Sequence, residues 1–171
     1  MMNEKELPVY AALDRMGIEY THIEHPAAAT MEACAAIGEG TGASHCKNLF
    51  LTNRQGTAFF LVMLGSSKKF RTASVSKQLG VARLSFTTAE QLENILGLTQ
   101  GSVTVTGLLN DTAHCVHVAI DRDLLNEERI LIHPNINTAS LVVKTSDILR
   151  FLDLLGYEFT PIAVEDAENA L

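Results

Sequence analysis

Apolar residues recur along this chain with two periods, one typical of helices and one of strands. Glycine or proline stands at most of the boundaries between segments with different periods. Near the amino end the apolar positions have helical spacing: Leu7, Tyr10, Ala11, Leu13 and Met16. Asn3 followed by Glu6 has the spacing of a capping box. The pattern predicts a first helix from Asn3 to Met16, closed by Gly17.

Four later segments also have the composition or spacing of helices. Thr30 can cap a short helix over Met31–Ile37, because a threonine oxygen can accept a hydrogen bond from an amide of the first turn. The other three end directly before a glycine, which suits the left-handed position after a helix. These predicted helices are Thr72–Leu79, Thr88–Leu96 and Ser146–Leu155.

Strand patterns fill most of the remaining chain. Two apolar runs, Cys46–Thr52 and Thr57–Leu64, flank the turn residues Asn53–Gly56 and predict a hairpin with its strands in the core. Beyond Gly101 the pattern returns to that of a strand. Further short strands are predicted at Tyr20–His25, Arg83–Phe86, Cys115–Ile120, Arg129–Ile132 and Ala139–Lys144.

Strands interleaved irregularly with helices predict an α/β fold of the α+β type, with a mixed, largely antiparallel sheet surrounded by helices. The chain of 171 residues is long enough for one sizeable core and short for two. We therefore expect a single domain over residues 1–171, with an ordered core of about residues 3–160.

Composition excludes several classes of protein. The longest apolar run, Phe59–Leu64, is too short to cross a bilayer, and the amino end lacks the apolar stretch of a secretion signal. Cytoplasmic localisation is therefore expected, with neither a membrane nor DNA as a partner. A net charge of −7 repels polyanions, so contact with nucleic acid has to use a local basic patch.

One dense basic segment contains Lys68, Lys69, Arg71 and Lys77. It is a candidate surface for phosphate, although a solvated loop has the same composition. The three cysteines form no C-x-x-C pair, which predicts buried thiols and neither a disulfide framework nor a metal site. No cofactor is expected.

Lys47 is the first candidate functional residue. It stands between Cys46 and the apolar run Leu49–Leu51, at the start of a strand expected to be buried on both faces. Buried lysines are rare unless they are paired or functional. The alternative is a lysine at the mouth of the strand, with its stem on apolar surface and its ammonium group in water. Position alone leaves both interpretations open.

Two loops are further candidates. Residues 133–138, His-Pro-Asn-Ile-Asn-Thr, carry an imidazole, two amides and a hydroxyl, a dense set of hydrogen-bonding groups for a pocket rim or for an ordinary polar turn. Gly101–Thr104 precedes a predicted strand, where a glycine and backbone amides can approach a ligand closely and stabilise an oxyanion. No serine elbow of a hydrolase and no zinc-binding helix motif accompanies them.

Four segments occur together in an order that one family shares. They are His25-Pro26, Cys46 to Leu51 (CKNLFL), Gly101 to Asp111 (GSVTVTGLLND) and His133 to Ala139 (HPNINTA). The chain resembles the prolyl-tRNA editing (YbaK/ProX-like) family over about residues 3–160. The resemblance is greatest to the free-standing alanyl-tRNA(Pro) deacylases.

The resemblance implies a mixed α/β domain that binds the aminoacylated 3′ end of a mischarged proline tRNA and hydrolyses its ester. Lys47 then matches the lysine the family requires, and Gly101 opens the substrate loop that also holds Ser102, both counted as catalytic. The substrate-binding residues would be Asn48 at the terminal adenosine, with Thr30, His133, Asn137 and Thr138. Prolyl-tRNA synthetase and an elongation factor are candidate partners besides aminoacylated tRNA(Pro).

One departure from the family's pattern concerns the glycine loop. Val105 occupies the position of a common proline, and Thr106 replaces a common aromatic residue. Losing a fixed φ angle leaves the backbone donors in place, so altered specificity or rate is expected rather than lost activity.

The hypothesis of an editing deacylase also suits the missing catalytic triad, because an aminoacyl ester is already activated and its hydrolysis needs positioning and oxyanion stabilisation. In this hypothesis Lys47 holds the terminal phosphate or ribose, the amides of the Gly101 loop stabilise the oxyanion, and the substrate's ribose hydroxyl helps to activate water. The alternatives are a non-catalytic tRNA- or aminoacyl-binding module and an accessory protein of amino-acid metabolism.

Overall fold

The strands join into one mixed sheet of eight strands in a computed structural model that describes residues 3–27, 36–37 and 39–167. Their bounds are β1 Thr21–Glu24, β2 Ser44–Asn53, β3 Phe59–Gly65, β4 Leu84–Phe86, β5 Val116–Asp121, β6 Arg129–Ile132, β7 Ala139–Lys144 and β8 Phe159–Ile162. The order across the sheet is β1-β7-β6-β2-β3-β5-β8, with β4 paired to β2.

Among these described strands, four pairings are antiparallel and three are parallel. The antiparallel pairs are β1/β7, β6/β7, β2/β3 and β2/β4, and the parallel pairs are β2/β6, β3/β5 and β5/β8. The prediction of a mixed, largely antiparallel sheet is confirmed.

The hairpin of β2 and β3 forms where it was predicted, because the turn satisfies its own backbone. The Oδ1 atom of Asn53 accepts hydrogen bonds from the amides of Thr57 at 2.8 Å and Ala58 at 3.1 Å. Gly56 adopts a φ of +68°, which glycine reaches without strain. The turn therefore fixes the register in which Phe50 faces Leu61.

The helices lie close to their predicted positions. They are α1 Leu7–Arg15, α2 Thr72–Leu79, α3 Ala89–Leu96, α4 Arg122–Leu125 and α5 Thr145–Leu155, with a 3-10 helix over Val105–Asn110. Thr88 caps α3 through a reciprocal capping box with Gln91. Gly80, Gly97 and Gly156 follow α2, α3 and α5 in the left-handed conformation, as predicted. The predicted helix Met31–Ile37 lies largely outside the described residues.

The first helix begins at Leu7 and not at Asn3. The capping signal was real, since the Asn3 amide donates to Glu6 Oε2 at 2.8 Å and the Lys5 amide donates to Asn3 Oδ1 at 2.9 Å. These bonds close a turn ahead of the helix, and Pro8 then occupies a position in its first turn, where its missing amide costs nothing.

The prediction of a strand after Gly101 is wrong, because the 3-10 helix occupies that segment. Its apolar residues Val105 and Leu108 are buried, and Gly107 packs so closely against the end of α3 and the residues after it that an added Cβ would lie 2.7 Å from Leu98 Cδ1. Strand β8 was not predicted. It contains Pro161, a residue that argues against a strand, but it lies at the edge of the sheet beside β5.

The two faces of the sheet carry separate core clusters. One face holds Phe50 and Met63 with residues of α1, α3, α5 and the 3-10 helix, and the other holds Leu51 and Val62 with Val75 of α2. Because successive strand residues alternate between faces, Lys47 points to the face of Leu51, and Asn48 points to the face of Phe50.

The start of β2 is more exposed than predicted. Residues Ser44 to Leu49 are half-buried, and full burial begins at Phe50. The expectation that Lys47 lies on a strand buried on both faces is therefore wrong.

Only part of the predicted basic segment is an open cationic surface, because Lys69, Arg71 and Lys77 are exposed but Lys68 is not. The Lys68 side chain is only 6% exposed, and its ammonium group contacts the carboxylates of Asp121, Asp123 and Asp166. Arg71 Nε lies 3.9 Å from a carboxylate oxygen of Glu165. Carboxylates thus neutralise part of the segment that was considered for phosphate binding.

The chain beyond β8 is held to the body of the protein. The amide of Lys69 donates to the Glu165 carbonyl at 2.9 Å, and the amide of Ala167 donates to the Ser67 carbonyl at 3.0 Å. Within the described part of the chain, no helix is long and apolar enough to cross a membrane.

Candidate active site

The candidate site lies where β2 separates from β6. On one edge, β2 pairs with β6 at Ser44 and His45 and with β4 from Leu51 onward. Between these partners, the residues Lys47–Leu49 have no neighbouring strand on that edge within the described residues. We call this point the β2–β6 fork, formed by Lys47 and Asn48 on one side and His133 on the other.

Register places Lys47 and His133 on the two sides of the fork, just beyond the last pair of the parallel ladder. The last pair of the parallel ladder is His45 with Leu131, and Lys47 and His133 each follow two residues later. The thiol of Cys46 donates to the Leu131 carbonyl at 3.1 Å and holds the two strands together there. Lys47 lies on the same face as His45 and Leu131 and is half-exposed, so its ammonium group can reach a ligand at the fork.

Asn48 occupies the opposite face of the same strand. Its Oδ1 atom is buried and has no hydrogen-bond partner among the described residues, and its Nδ2 lies 3.9 Å from Cys46 Sγ. A buried carbonyl oxygen without a donor costs free energy that a ligand's N–H or O–H group recovers. Asn48 therefore presents an unoccupied acceptor at the fork.

His133 is fixed as a hydrogen-bond acceptor toward the site. Its Nδ1 atom lies 3.2 Å from the Ala139 carbonyl, which requires the proton on Nδ1 and leaves the lone pair on Nε2. Burial lowers the pKa of His133, and His25 lowers it further, against the opposing effect of the Ala139 carbonyl. The imidazole is thus neutral at pH 7.

His25 supports His133 from the neighbouring strands, although sequence reasoning did not place it in the site. The two rings meet edge to face with their centroids 6.5 Å apart. His25 Nε2 lies 2.8 Å from Ser140 Oγ, and the His25 amide donates to the Thr138 carbonyl at 3.0 Å. The His25-Pro26 pair was the signal in the sequence, whereas Ser140 had none.

The glycine loop meets the histidine loop at Gly101. This residue has a φ of +89°, and a Cβ added to it would lie 3.9 Å from Asn137 Nδ2. Within the described residues the amides of Gly101 and Val103 have no hydrogen-bond partner. Two backbone donors of this loop are therefore available to a ligand.

The hydrogen-bond donors of Ser102 are used within the turn that precedes and includes it. Its side chain is buried, its hydroxyl donates to the Thr99 carbonyl at 2.9 Å, and its amide donates to the same carbonyl at 3.1 Å. Both of its donors are occupied, so the geometry does not support Ser102 as a catalytic residue. The sequence could not reveal this, because the competing acceptor arises from the turn.

The other predicted substrate-binding residues are only partly located. Asn137 and Thr138 share the loop of His133, and Thr30 lies outside the described residues. Thr138 lines a hollow of about 490 Å³ beside the fork. The hollow is lined by Glu6, His22, Glu24, His25, Ile136, Thr138 and Ala139.

Neither a thiolate nucleophile nor a metal is evident. Burial raises the pKa of Cys46 to about 12, so its thiol stays protonated at pH 7. In residues 3–27, 36–37 and 39–167, no group of three His, Cys, Asp or Glu side chains could hold a metal ion. The available groups are therefore an ammonium, an imidazole, side-chain amides and backbone amides.

Comparisons with known proteins identify the family. A model of the aminoacyl-tRNA editing domain matches residues 25–151. The prolyl-tRNA editing protein ProX of Acetoanaerobium sticklandii is 32% identical over 154 residues, which cover 90% of this chain and 94% of that protein. The prolyl-tRNA synthetase associated domain-containing protein 1 of Danio rerio is 32% identical over 151 residues, 87% of this chain and 80% of that protein.

A solved structure shows the same fold. A candidate trans-editing enzyme for prolyl tRNA synthetase superposes with a TM-score of 0.74 at 19% identity, covering 98% of this chain and 100% of that chain. The predicted resemblance is confirmed by the family match and by the identity to the curated relatives. The chain belongs to the aminoacyl-tRNA editing domain family.

Proposed function

We propose that this chain, acting as a single editing domain over residues 1–171, is a free-standing deacylase that hydrolyses the ester of mischarged tRNA(Pro), with Ala-tRNA(Pro) as its substrate. The observation that carries the proposal is that Lys47 and His133 flank the β2–β6 fork of an editing-domain fold, with Gly101 beside Asn137 of the His133 loop. The name of the Acetoanaerobium relative, a prolyl-tRNA editing protein, supports the choice of tRNA.

Hydrolysis of an aminoacyl ester needs little beyond positioning. The ester is already activated, so water attack depends on stabilising the oxyanion that forms at the carbonyl. The unpartnered amides of Gly101 and Val103 supply donors for that oxyanion. Ser102 contributes by holding the turn through Thr99.

His133 and the substrate's ribose hydroxyl share the activation of water. The Nε2 lone pair of neutral His133 accepts a hydrogen bond from the ribose hydroxyl or from the water itself. This bond orients the attacking oxygen, and the proton that the water gives up is delivered to the ribose oxygen that leaves as the ester bond breaks. The buried position of His133 keeps it neutral at physiological pH.

Lys47 and Asn48 hold the terminal adenosine from the two faces of β2. The Lys47 ammonium contacts the terminal phosphate or ribose, which supplies a local positive charge on a protein with a net charge of −7. The unsatisfied Oδ1 of Asn48 accepts a hydrogen bond from the adenosine. Asn137, Thr138 and the unlocated Thr30 complete the proposed binding set.

We propose alanine as the amino acid removed because the discrimination of a synthetase against smaller amino acids is limited. A pocket shaped for proline cannot strongly exclude a smaller amino acid, because one or two missing carbons are worth only about 1–3 kcal/mol. A second, smaller site removes the products that escape. The name of the Danio relative refers to prolyl-tRNA synthetase, which supports that enzyme as a partner.

The test is a deacylation panel with tRNA(Pro) charged with alanine, cysteine, serine or proline. We expect the wild-type chain to hydrolyse the alanyl ester fastest and the prolyl ester slowest. Lys47→Ala is expected to lower kcat/KM by at least about 100-fold, because it removes the contact that positions the ester. The matched control is Lys77→Ala, an exposed lysine on α2, which should stay within about twofold of wild type.

Full activity of Lys47→Ala would refute its role, and indifference of the wild type to all four esters would refute the deacylase. The departure at Val105 and Thr106 favours one alternative, a tRNA-binding module without turnover. Tight binding of Ala-tRNA(Pro) with an intact ester after incubation would establish that alternative.

A further inference from the structure

Two buried hydroxyl groups lie behind His133. Thr104 and Thr106 are both 0% exposed and stand at the start of the 3-10 helix. Thr104 Oγ1 donates to the His133 carbonyl at 2.8 Å. Thr106 Oγ1 lies 2.8 Å from the same carbonyl and 2.7 Å from Asn135 Oδ1. Thr104 therefore donates to one backbone carbonyl of the histidine loop, and the single proton of Thr106 links that loop to the glycine segment through either the same carbonyl or Asn135 Oδ1.

The loop that they hold has an unusual conformation. Asn135 is buried and adopts a φ of +66°, a region that residues other than glycine rarely occupy. Its Nδ2 donates to the Lys5 carbonyl at a long 3.5 Å, so the short contact of its side chain is the one with Thr106. Such a conformation persists only when surrounding contacts determine it.

The two threonines also connect the two loops of the candidate site. Thr104 follows Gly101 by three residues, and His133 carries its ring on the same residue whose carbonyl is bound. A shift of that carbonyl moves the ring relative to the Gly101 amides. The spacing between oxyanion donors and imidazole is therefore set on the buried side of the site, away from the substrate.

We propose that Thr106, assisted by Thr104, is a positioning residue that fixes His133 relative to the Gly101 loop. This inference rests on the proposed deacylase function and assigns neither threonine a contact with substrate. Valine at position 106 keeps the shape of threonine but donates nothing. It removes the single hydroxyl proton for which Asn135 Oδ1 and the His133 carbonyl are alternative acceptors, and it leaves Thr104 as the side-chain donor to that carbonyl.

The test compares Thr106→Val with Thr106→Ser in the hydrolysis of Ala-tRNA(Pro). We expect Thr106→Val to lower kcat by about tenfold or more with little change in KM, because small displacements of catalytic groups cost that much. The serine variant keeps the hydroxyl and should restore most of kcat. A purely structural role would lower the melting temperature and leave the kcat of the folded fraction unchanged.

The pH profile gives a second readout. His133 is held in a buried position beside His25 and Ala139, and loosening it admits water around the ring. The acid limb of the pH–rate profile of Thr106→Val should therefore lie at higher pH than that of the wild type. Thermal melting followed by circular dichroism reports whether each variant is folded.

Thr145→Val is the matched control. Thr145 is buried like Thr106, but its Oγ1 has no hydrogen-bond partner among the described residues, and it lies at the start of α5. Its valine variant should keep the wild-type kcat and pH profile. If Thr106→Val fails to fold, Thr104→Val removes the other donor to His133 and is judged by the same two readouts.

A folded Thr106→Val with wild-type kcat and pH profile would overturn the inference. So would a serine variant as impaired as the valine variant. If the wild type hydrolyses none of the esters, the proposed function has failed instead, and the two failures are thus distinguishable.

Discussion

His133 shows how one residue acquires its chemistry from its surroundings. Its Nδ1 proton is directed to the Ala139 carbonyl, and burial opposes the charged form of the ring. Both effects leave Nε2 as a neutral acceptor. An exposed histidine would be partly protonated near pH 6.5 and would lose that acceptor over the same range.

The lowered pKa of His133 predicts the acid side of the pH–rate profile. Protonation of Nε2 removes the acceptor, so activity should be constant around neutrality and fall only as pH drops through a pKa below 6.5. The measurement is kcat/KM for Ala-tRNA(Pro) from mildly acid to neutral pH. An acid limb centred above pH 6.5 would contradict the buried, neutral histidine.

Among single residues, the sequence identified the candidate functional groups, but it did not show which of them are free to contact a ligand. Lys47 and His133 could be selected from their motifs, and the structure places both at the β2–β6 fork. The commitment of Ser102 to Thr99 was not predicted, because the loop predicted from the sequence began at Gly101 and a turn that starts at Thr99 was not considered. The buried acceptor of Asn48 likewise depends on the separation of two strands.

The 3-10 helix is the element on which the candidate site depends most. It carries Thr104 and Thr106 at one end, and at the other end Asp111 accepts hydrogen bonds from the amides of Cys115 and Val116 and from the Tyr157 hydroxyl. Burial alone would raise the pKa of Asp111, but these donors outweigh it and lower the pKa. The helix is thus anchored at both ends.

Close packing against α3 predicts a cost for any side chain at Gly107. In Gly107→Ala the new methyl would lie 2.7 Å from Leu98 Cδ1 and 3.3 Å from Leu96 Cβ, so either the buried Leu98 side chain or the helix has to move. We expect a loss of about 1–3 kcal/mol in the free energy of unfolding, measured by denaturant titration.

Gly65→Ala is the control for this overpacking. Its added methyl meets Lys68 Cγ at 3.6 Å, an ordinary contact, and Gly65 does not adopt a positive φ. It should change the free energy of unfolding by less than Gly107→Ala. Equal effects of the two variants would show that the contact with α3 is not the cause.

Elements with strong local signals were predicted well, and the exceptions have tertiary causes. The hairpin and the helices ending at Gly80, Gly97 and Gly156 follow from turn and capping chemistry that is local. The segment after Gly101 alternates like a strand, yet it folds as a 3-10 helix because Val105 and Leu108 enter the core together. Strand β8 exists because β5 offers it an edge.

At the scale of the whole molecule, Lys68 ties three parts of the chain together. Its Nζ donates to the Val164 carbonyl at 2.9 Å and contacts Asp123 on α4, and it lies 3.5 Å from Asp166 near the carboxyl end. Asp121, at the end of β5, is 1% exposed and lies 3.8 Å from the same ammonium. Burial raises the pKa of Asp121, which Lys68 opposes.

Removal of this ammonium group should destabilise the whole fold. In Lys68→Met the Asp121 carboxylate stays buried without its cation, so we expect a loss of about 3 kcal/mol in the free energy of unfolding. Lys69→Met is the control, because that side chain is exposed and its structural contact is made by its backbone amide. A change below about 0.5 kcal/mol in Lys68→Met would contradict the proposed tie.

The separation of β2 from β6 also restricts the shape of what can bind. Consecutive residues of a strand point in opposite directions, so a molecule that meets both Lys47 and Asn48 has to straddle the bare edge of β2. A flat base and its sugar are thin enough to slip over such an edge, whereas paired bases in a duplex are shielded by their partner strand. For the proposed tRNA substrate, the backbone at the fork would therefore favour a frayed RNA terminus over a double helix.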